Sequence, residues 1–321
     1  MNKAILPKVA KPIRYEVKLD IKLSNFEYTG FQDVELEIIE ETQSFEVNAI
    51  DIEIVTASLF NEDGEKLDLA FEYMKDLERI SFSANENITI GKYSLQLEFN
   101  STITNDLKGF YKSQFLDLND NVKWIATTQF EPTSARNAFP CWDEPEYKAV
   151  FSIALTSDEK YLRISNEKVL SENKLKDGRV ETLFVDSMKM STYLVAFVIG
   201  ELEVTEVGSV GDTKIRIIHR PGFSHQTSFA GIAGMKILEF FENYYQIPYP
   251  GSKLDLIAIP DFAMGAMENV GAVTFRESLL LIDESKATRQ ELSRSVSVIA
   301  HELAHMWFGD LVTMKWWDGI W

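Results

Sequence analysis

The stretch TRQELSRSVSVIAHELAHMWFGD, residues 288–310, predicts a long helix that carries two histidines near its C-terminal end. The helix is expected to begin with a capping box, because Thr288 is followed three residues later by Glu291. Apolar residues then recur at helical spacing and define one face, formed by Leu292, Val296, Ile299 and Leu303. Gly309 is expected to end the helix, since glycine readily adopts the left-handed conformation found after many helices.

His301 and His305 lie four residues apart on this helix, so their imidazoles face the same side and can bind one ion. Glu302 is offset by one position and lies beside that ion, where its carboxylate can accept a proton from a polarised water. The chain contains only four histidines, and two of them fall in this motif. The motif predicts a Zn2+ site with His301 and His305 as ligands and Glu302 as general base. The alternative, three ordinary helix residues, stays open at this point.

Length and charge restrict the classes of protein and partner. The 321 residues leave room for about two domains. A formal net charge of −18 argues against nucleic acid and anionic membranes as partners, because nothing would neutralise their phosphates. Cys141 is the only cysteine, which excludes an intrachain disulfide. Neither a signal peptide nor a membrane-spanning run is recognised, and a cytoplasmic location is expected.

Apolar and polar residues alternate strictly near the N-terminus, a period of two that predicts half-buried β-strands. The first alternating apolar positions are Tyr15, Val17, Leu19, Ile21 and Leu23. The pattern returns at residues 34–38, 93–99 and 151–155, and the polar clusters NEDGE (61–65) and SANEN (83–87) are interpreted as turns. The first two hundred residues are therefore predicted to form a largely antiparallel β domain.

The period changes after residue 222. A helix is predicted from the spacing of Phe229, Ile232, Met235 and Leu238. Two strand-like segments, KLDLIAIP (253–260) and VGAVTF (270–275), lie between this helix and the histidine helix. The fold class predicted is α+β with two domains, a β domain over residues 1–203 and a mixed domain over residues 204–321.

Three blocks of sequence occur in a fixed order: TTQFEPTSARNAFPCWDEP (127–145), GAMEN (265–269), and the histidine helix followed by VTMKWWDGIW (312–321). Together they resemble the zinc aminopeptidases of the aminopeptidase N family, and KPIRYEVKLDIKL (11–23) is similar to that family's opening strand. The resemblance implies a saddle-like N-terminal β domain followed by the first part of a thermolysin-like catalytic domain. It also implies a Zn2+ cofactor and peptide substrates with a free N-terminus, with Glu302 as the catalytic base.

The resemblance further implies how such a substrate is recognised. Glu268 and Glu131 would bind the α-ammonium group from two sides with charge-assisted hydrogen bonds. Only an N-terminal residue presents this group, and an exopeptidase activity follows. Gln129 and Met264 would line the pocket for the first side chain. The backbone of Gly265, Ala266 and Met267 would pair with the substrate main chain as an added strand, and Asn269 would also bind the substrate.

The third zinc ligand is missing from the chain. In the family it is a glutamate nineteen residues beyond the second histidine, a position past Trp321. Asp310 and Asp318 are the only carboxylates after His305, and neither falls at that position. The chain is therefore expected to be a fragment of a longer enzyme that holds one Zn2+ per complete catalytic domain. By itself the fragment is expected to bind zinc weakly and to be inactive.

Two other functions stay open. Family members specialised for epoxide hydrolysis resemble this chain but carry Gln in place of Glu131 and a second Gly in place of Ala266, and both differences favour an ordinary aminopeptidase. A non-catalytic binding module is the other alternative, and the intact Glu302 argues against it. Side-chain preference, biological substrate and oligomeric state are not predicted.

Overall fold

Strands dominate the first two hundred residues of the structure, a computed structural model that describes residues 5–320. In chain order these strands are β1 (Ala10–Lys22), β2 (Glu27–Ile38), β3 (Thr42–Asn48), β4 (Glu53–Asn61), β5 (Lys66–Met74), β6 (Arg79–Ile88), β7 (Gly91–Thr102), β8 (Gly109–Leu116), β9 (Val122–Gln129), β10 (Val150–Asp158), β11 (Leu162–Ser165), β12 (Val169–Lys174), β13 (Arg179–Phe184) and β14 (Phe197–Gly200). The alternating residues Tyr15, Val17, Leu19 and Ile21 are all buried in β1, as their period predicts.

Ten of these strands form one sheet, in the order β12-β13-β10-β1-β2-β7-β4-β5-β6-β3, and four form a second, β11-β14-β9-β8. Neighbouring strands run antiparallel except β1 and β10, which are parallel with Tyr15 opposite Phe151. Side chains from both sheets share one apolar core, for example Tyr28 of β2, Phe151 of β10 and Phe197 of β14. The predicted antiparallel β region is confirmed.

The second part of the chain contains the strands β15 (Glu203–Val210), β16 (Thr213–His219), β17 (Lys253–Ile259), β18 (Ala266–Met267) and β19 (Ala272–Arg276), and the helices α1 (Ser228–Tyr245), α2 (Glu277–Leu280) and α3 (Arg289–His305). Its sheet has the order β15-β16-β17-β19-β18, with β16, β17 and β19 parallel. Helices α1 and α3 pack against each other. These observations confirm the α+β class. The chain passes from one sheet to the other between Gly200 and Glu203.

The buried face of α1 differs from the predicted one. Ile232 is 45% exposed, whereas the buried residues are Ala230, Gly231, Gly234 and Leu238. A Cβ on Gly231 would lie only 2.8 Å from Val207. The helix therefore approaches the sheet through its smallest side chains, and apolar spacing by itself cannot reveal such a contact.

Two further predictions need correction. Val296, predicted to lie on the apolar face of α3, is 37% exposed. The helix ends at His305, four residues before Gly309, because the residues after His305 form a turn with its own backbone hydrogen bonds. The cluster SANEN lies within β6 instead of a turn, because β3 and β5 pair with this strand from either side. No helix among residues 5–320 is long and apolar enough to span a membrane.

The two parts of the chain meet beside the β18–β19 hairpin. Asn166 donates from its amide to the Leu194 carbonyl (2.7 Å) and to the Val270 carbonyl (2.9 Å). The buried Lys253 ammonium donates to the Ser165 carbonyl (2.9 Å) and to the Gly271 carbonyl (2.6 Å). These bonds fix the hairpin against the β region, and the hairpin carries Glu268.

Candidate active site

Helix α3 begins as its sequence predicts. Thr288 Oγ1 accepts a hydrogen bond from Glu291 N (3.2 Å), and the Glu291 carboxylate accepts one from Thr288 N (2.8 Å), which completes the capping box. The helix then runs to His305, so residues 301–305 occupy its last two turns. Glu302 and His305 are buried there, whereas His301 is exposed.

The two histidines present a donor set that fits zinc. Their Nε2 atoms are 3.1 Å apart, against about 3.3 Å for two nitrogens bound roughly 2.0–2.1 Å from one tetrahedral zinc ion. His305 Nδ1 lies 3.0 Å from the carbonyl oxygen of Phe308. Because a carbonyl only accepts, this nitrogen carries the proton and Nε2 keeps the lone pair that a metal requires.

Glu268 reaches the same place from the β18–β19 hairpin. Strand β18 pairs with β19, with Met267 opposite Thr274, and β18 contacts α3. One ligand atom from each of Glu268, Glu302 and His305 lies within 4.8 Å of the other two, and all three side chains are buried. The carboxylates of Glu268 and Glu302 therefore lie next to the His305 imidazole.

The carboxyl groups near this cluster resist ionisation. Burial, followed by the negative charges of Glu268 and Glu131, raises the pKa of Glu302 to about 8. Burial raises the pKa of Glu268 to about 7, and burial with the charge of Glu268 raises that of Glu131 to about 7. Burial lowers the pKa of both His301 and His305. A cation bound between these carboxylates, whether a metal ion or an ammonium group, would relieve their repulsion.

Glu131 and Gln129 come from the end of β9, in the N-terminal part of the chain. Glu131 is half-buried, and its negative charge contributes to the raised pKa of Glu302. Gln129 is buried, with Nε2 3.4 Å from Met267 Sδ. Its Oε1 has no hydrogen-bond partner among the described residues, which leaves an acceptor for a ligand. Residues 129–131 thus meet the GAMEN hairpin.

The remaining predicted residues lie along that hairpin. Met264 is 53% exposed, and the exposed Gly265 accepts a hydrogen bond from Arg276 N (3.0 Å). Ala266 and Met267 form β18, at the edge of the five-stranded sheet. The buried Asn269 amide lies 3.4 Å from the Ala272 carbonyl and 3.3 Å from Thr274 Oγ1. These contacts stabilise the turn, and the role of Asn269 in substrate binding stays a prediction.

Three residues near the site were not predicted. Asp310 is fully buried, and neither of its carboxylate oxygens has a hydrogen-bond partner among residues 5–320. Burial, then the charge of Glu268, raises the pKa of Asp310 well above its usual range. Lys148 and Tyr193 contact the backbone of the same loop. Asp310 could have been noticed in the sequence, because it directly follows Gly309 at the end of the histidine motif. No local pattern marks Lys148 or Tyr193 as residues near the site.

The sequence matches known proteins over nearly its whole length. Residues 11–194 match the Peptidase M1 N-terminal domain, and residues 229–321 match the Peptidase family M1 domain. The chain is 39% identical over 318 residues to a puromycin-sensitive aminopeptidase of Caenorhabditis elegans, covering 98% of this chain and 34% of that protein.

Two other aminopeptidases match this chain with similar identity and coverage. Endoplasmic reticulum aminopeptidase 2 of Homo sapiens is 38% identical over 328 residues, covering 98% of this chain and 34% of that protein. Aminopeptidase M1-A of Oryza sativa subsp. japonica is 38% identical over 325 residues, covering 100% of this chain and 37% of that protein. The chain thus spans about a third of the length of the curated relatives it matches. With both domain types matched in order around the histidine helix and the GAMEN hairpin, this chain belongs to peptidase family M1.

Proposed function

We propose that this chain forms the amine-binding and proton-transfer part of a zinc aminopeptidase, an enzyme that releases N-terminal residues from peptides. The observation that carries the proposal is the convergence of Glu268, Glu302 and His305 within 4.8 Å, from two separate segments of the chain. Membership of the M1 family supports it, as do the aminopeptidase names of the matched relatives.

His301 and His305 would hold the zinc ion through their Nε2 atoms, which lie 3.1 Å apart. Zinc, when bound, supplies a Lewis acid that polarises the scissile carbonyl and the attacking water. The Glu302 carboxylate accepts the proton of that water and returns it to the departing amine. Because Glu302 is buried, its carboxylate meets little competing solvent and the proton transfer is directed toward the substrate.

Glu268 and Glu131 would bind the substrate's α-ammonium group. Each is wholly or partly buried, and each has a pKa raised to about 7, so an arriving ammonium group gains two charge-assisted hydrogen bonds and removes their repulsion. A blocked N-terminus offers no such charge. Discrimination between free and blocked peptides therefore follows from the carboxylate pair.

The β18 edge would position the rest of the peptide. Ala266 and Met267 pair with β19 on one side and form the last strand of their sheet on the other. An extended substrate can add to such an edge through main-chain hydrogen bonds, which holds the first peptide bond beside Glu302.

The experiment that tests this function compares a free peptide with its N-acetylated form on the full-length gene product. Glu268→Gln should lower kcat/KM for the free peptide by roughly 10- to 150-fold, because one charge-assisted hydrogen bond is worth about 1.5–3 kcal/mol. The acetylated peptide should be a poor substrate for the parent protein already. Zinc content is measured on the same samples.

Glu284→Gln is the matched control, since Glu284 is an exposed carboxylate in the same part of the chain. It should leave both substrates unaffected. Equal cleavage of free and acetylated peptides by the parent protein would rule out the assignment of Glu268 and Glu131 to amine binding.

A further inference from the structure

The loop that follows α3 is held by two side chains from the N-terminal β region. The Lys148 ammonium donates to the carbonyl of Asp310 (2.9 Å) and to that of Leu311 (3.1 Å). The Tyr193 hydroxyl donates to the carbonyl of Gly309 (3.1 Å). Tyr193 is buried and Lys148 is half-buried. The bond to Gly309 is buried and the bond to Asp310 is partly buried, whereas the bond to Leu311 is exposed. Three successive carbonyls of the loop are thereby bound to the other half of the structure.

The same loop determines the state of His305. The Phe308 carbonyl, one residue before this series, accepts the Nδ1 proton of His305 at 3.0 Å. This bond sets the ring orientation and the tautomer, and it leaves the Nε2 lone pair directed toward His301. Asp310 N also donates back to the His305 carbonyl (3.0 Å), which closes the loop on the helix end. A displacement of the loop would therefore move the Phe308 carbonyl away from the imidazole.

We propose that Lys148 and Tyr193 are positioning residues of the metal site, which act on His305 through the loop of residues 308–311. The metal affinity of a histidine on α3 then depends on two hydrogen-bond donors from the N-terminal β region. This proposal rests on the proposed function in so far as it takes His305 to be a zinc ligand. It adds a connection between the two parts of the chain that the motif itself does not contain.

Lys148 is the better residue for a test, because one ammonium binds two carbonyls. In Lys148→Met the side chain keeps its length and loses every donor. In Lys148→Arg the guanidinium keeps donors for both carbonyls and should restore the parent behaviour. Tyr193→Phe removes one hydroxyl, and since Thr313 Oγ1 also donates to the Gly309 carbonyl, its effect should be smaller. Lys189→Met is the matched control, because the exposed Lys189 lines the same surface groove as Lys148.

Two measurements on the full-length gene product decide the matter. The first is the Kd for Zn2+ by competition with a chelator, together with the visible absorption of the Co2+-substituted protein. Lys148→Met should weaken Zn2+ binding by about 10- to 100-fold, as loss of the groups that orient a ligand commonly does, and should change the Co2+ spectrum. Lys148→Arg and Lys189→Met should stay within about threefold of the parent value, a spread too small to count as a loss of orientation.

The second measurement is the tautomer of His305 in the metal-free protein, read from its ring 15N shifts. The parent should hold the proton on Nδ1, and Lys148→Met should populate the other tautomer. If zinc binds and neither the Kd nor the tautomer responds to Lys148→Met, the positioning role is wrong while the proposed function stands. If the parent binds no zinc but the tautomer responds, Lys148 orients His305 as argued, whereas the link to metal affinity and the proposed function both fail.

Discussion

The pKa of Glu302 shows how strongly the surroundings of one side chain change its ionisation. It is buried on α3, and the nearby charges of Glu268 and Glu131 add to the effect of burial in raising its pKa to about 8. A carboxylate of this kind accepts a proton readily, but it needs positive charge nearby to stay ionised at neutral pH. A bound metal ion or a substrate ammonium group would supply that charge. Under the proposed function, the same carboxyl group would be protonated without a bound cation and would become a proton acceptor when a cation binds beside it.

The replacement Glu302→Gln tests the role of this carboxylate in the full-length gene product. Turnover should fall by about 10²–10⁴-fold, because an amide cannot accept the water's proton, whereas zinc content should be unchanged. Steady-state kinetics and metal analysis are made on the same preparation. A variant that keeps its zinc and near-normal turnover would show that another group is the base.

At the scale of elements, the β18–β19 hairpin is positioned by close contact between backbones. Gly271 has φ +72°, a conformation that favours glycine, and a Cβ built on it would lie 1.9 Å from the Asn166 carbonyl oxygen. Its carbonyl oxygen also accepts a hydrogen bond from the buried Lys253 ammonium group, and its N–H donates one to Tyr249 Oη (2.9 Å). No side chain fits at this position without moving the hairpin that carries Glu268.

Gly271→Ala should therefore lower the free energy of unfolding by about 2–5 kcal/mol, since an overpacking cost of about 1–3 kcal/mol adds to a left-handed backbone cost of roughly 1–2 kcal/mol. Urea unfolding followed by tryptophan fluorescence measures it. Gly178→Ala is the matched control, because Gly178 has φ +86° but no atom within 4 Å of its built Cβ. Equal losses in the two variants would mean that the contact with Asn166 adds nothing.

At the scale of the whole molecule, buried acids make stability depend on pH. The folded-state pKa values of Glu302, Glu268 and Glu131 lie above their ordinary values, so the folded protein binds more protons than the unfolded chain between about pH 5 and pH 8. The stabilisation from these neutral acids is complete below about pH 4.5 and is lost as the pH rises through the folded-state values. In the absence of bound cations, unfolding free energy should fall across this range.

Glu302→Gln should flatten this fall in the chelator-treated protein by up to about 1.4 kcal/mol per pH unit, the value for one proton. Urea unfolding at half-unit steps from pH 5 to pH 8 provides the slope. The exposed Glu284, replaced by glutamine, should leave the slope unchanged. A parent protein whose stability rises across this range would contradict the assignment of buried, neutral carboxylates.

Local patterns in the sequence account for the elements but not for all of their contacts. The alternation in β1 and the capping box of α3 were predicted correctly, because both depend on neighbours only a few residues away. The buried face of α1 was predicted wrongly at Ile232, because burial depends on what lies opposite, and Gly231 and Gly234 allow the closest approach. The cytoplasmic location and the domain boundary at residue 203 stay predictions.

The sequence by itself determined the pair His301 and His305 and the offset of Glu302, since the pitch of a helix fixes these relations within one turn. The family resemblance implied that Glu268 and Glu131 meet at one substrate group. The tertiary structure placed Glu268 beside that helix and residues 129–131 beside the same hairpin, and it alone revealed that Lys148 and Tyr193 hold the loop behind His305. The physical reason is separation along the chain. Contacts between distant segments depend on how two sheets pack together, and no short pattern in the sequence records that packing.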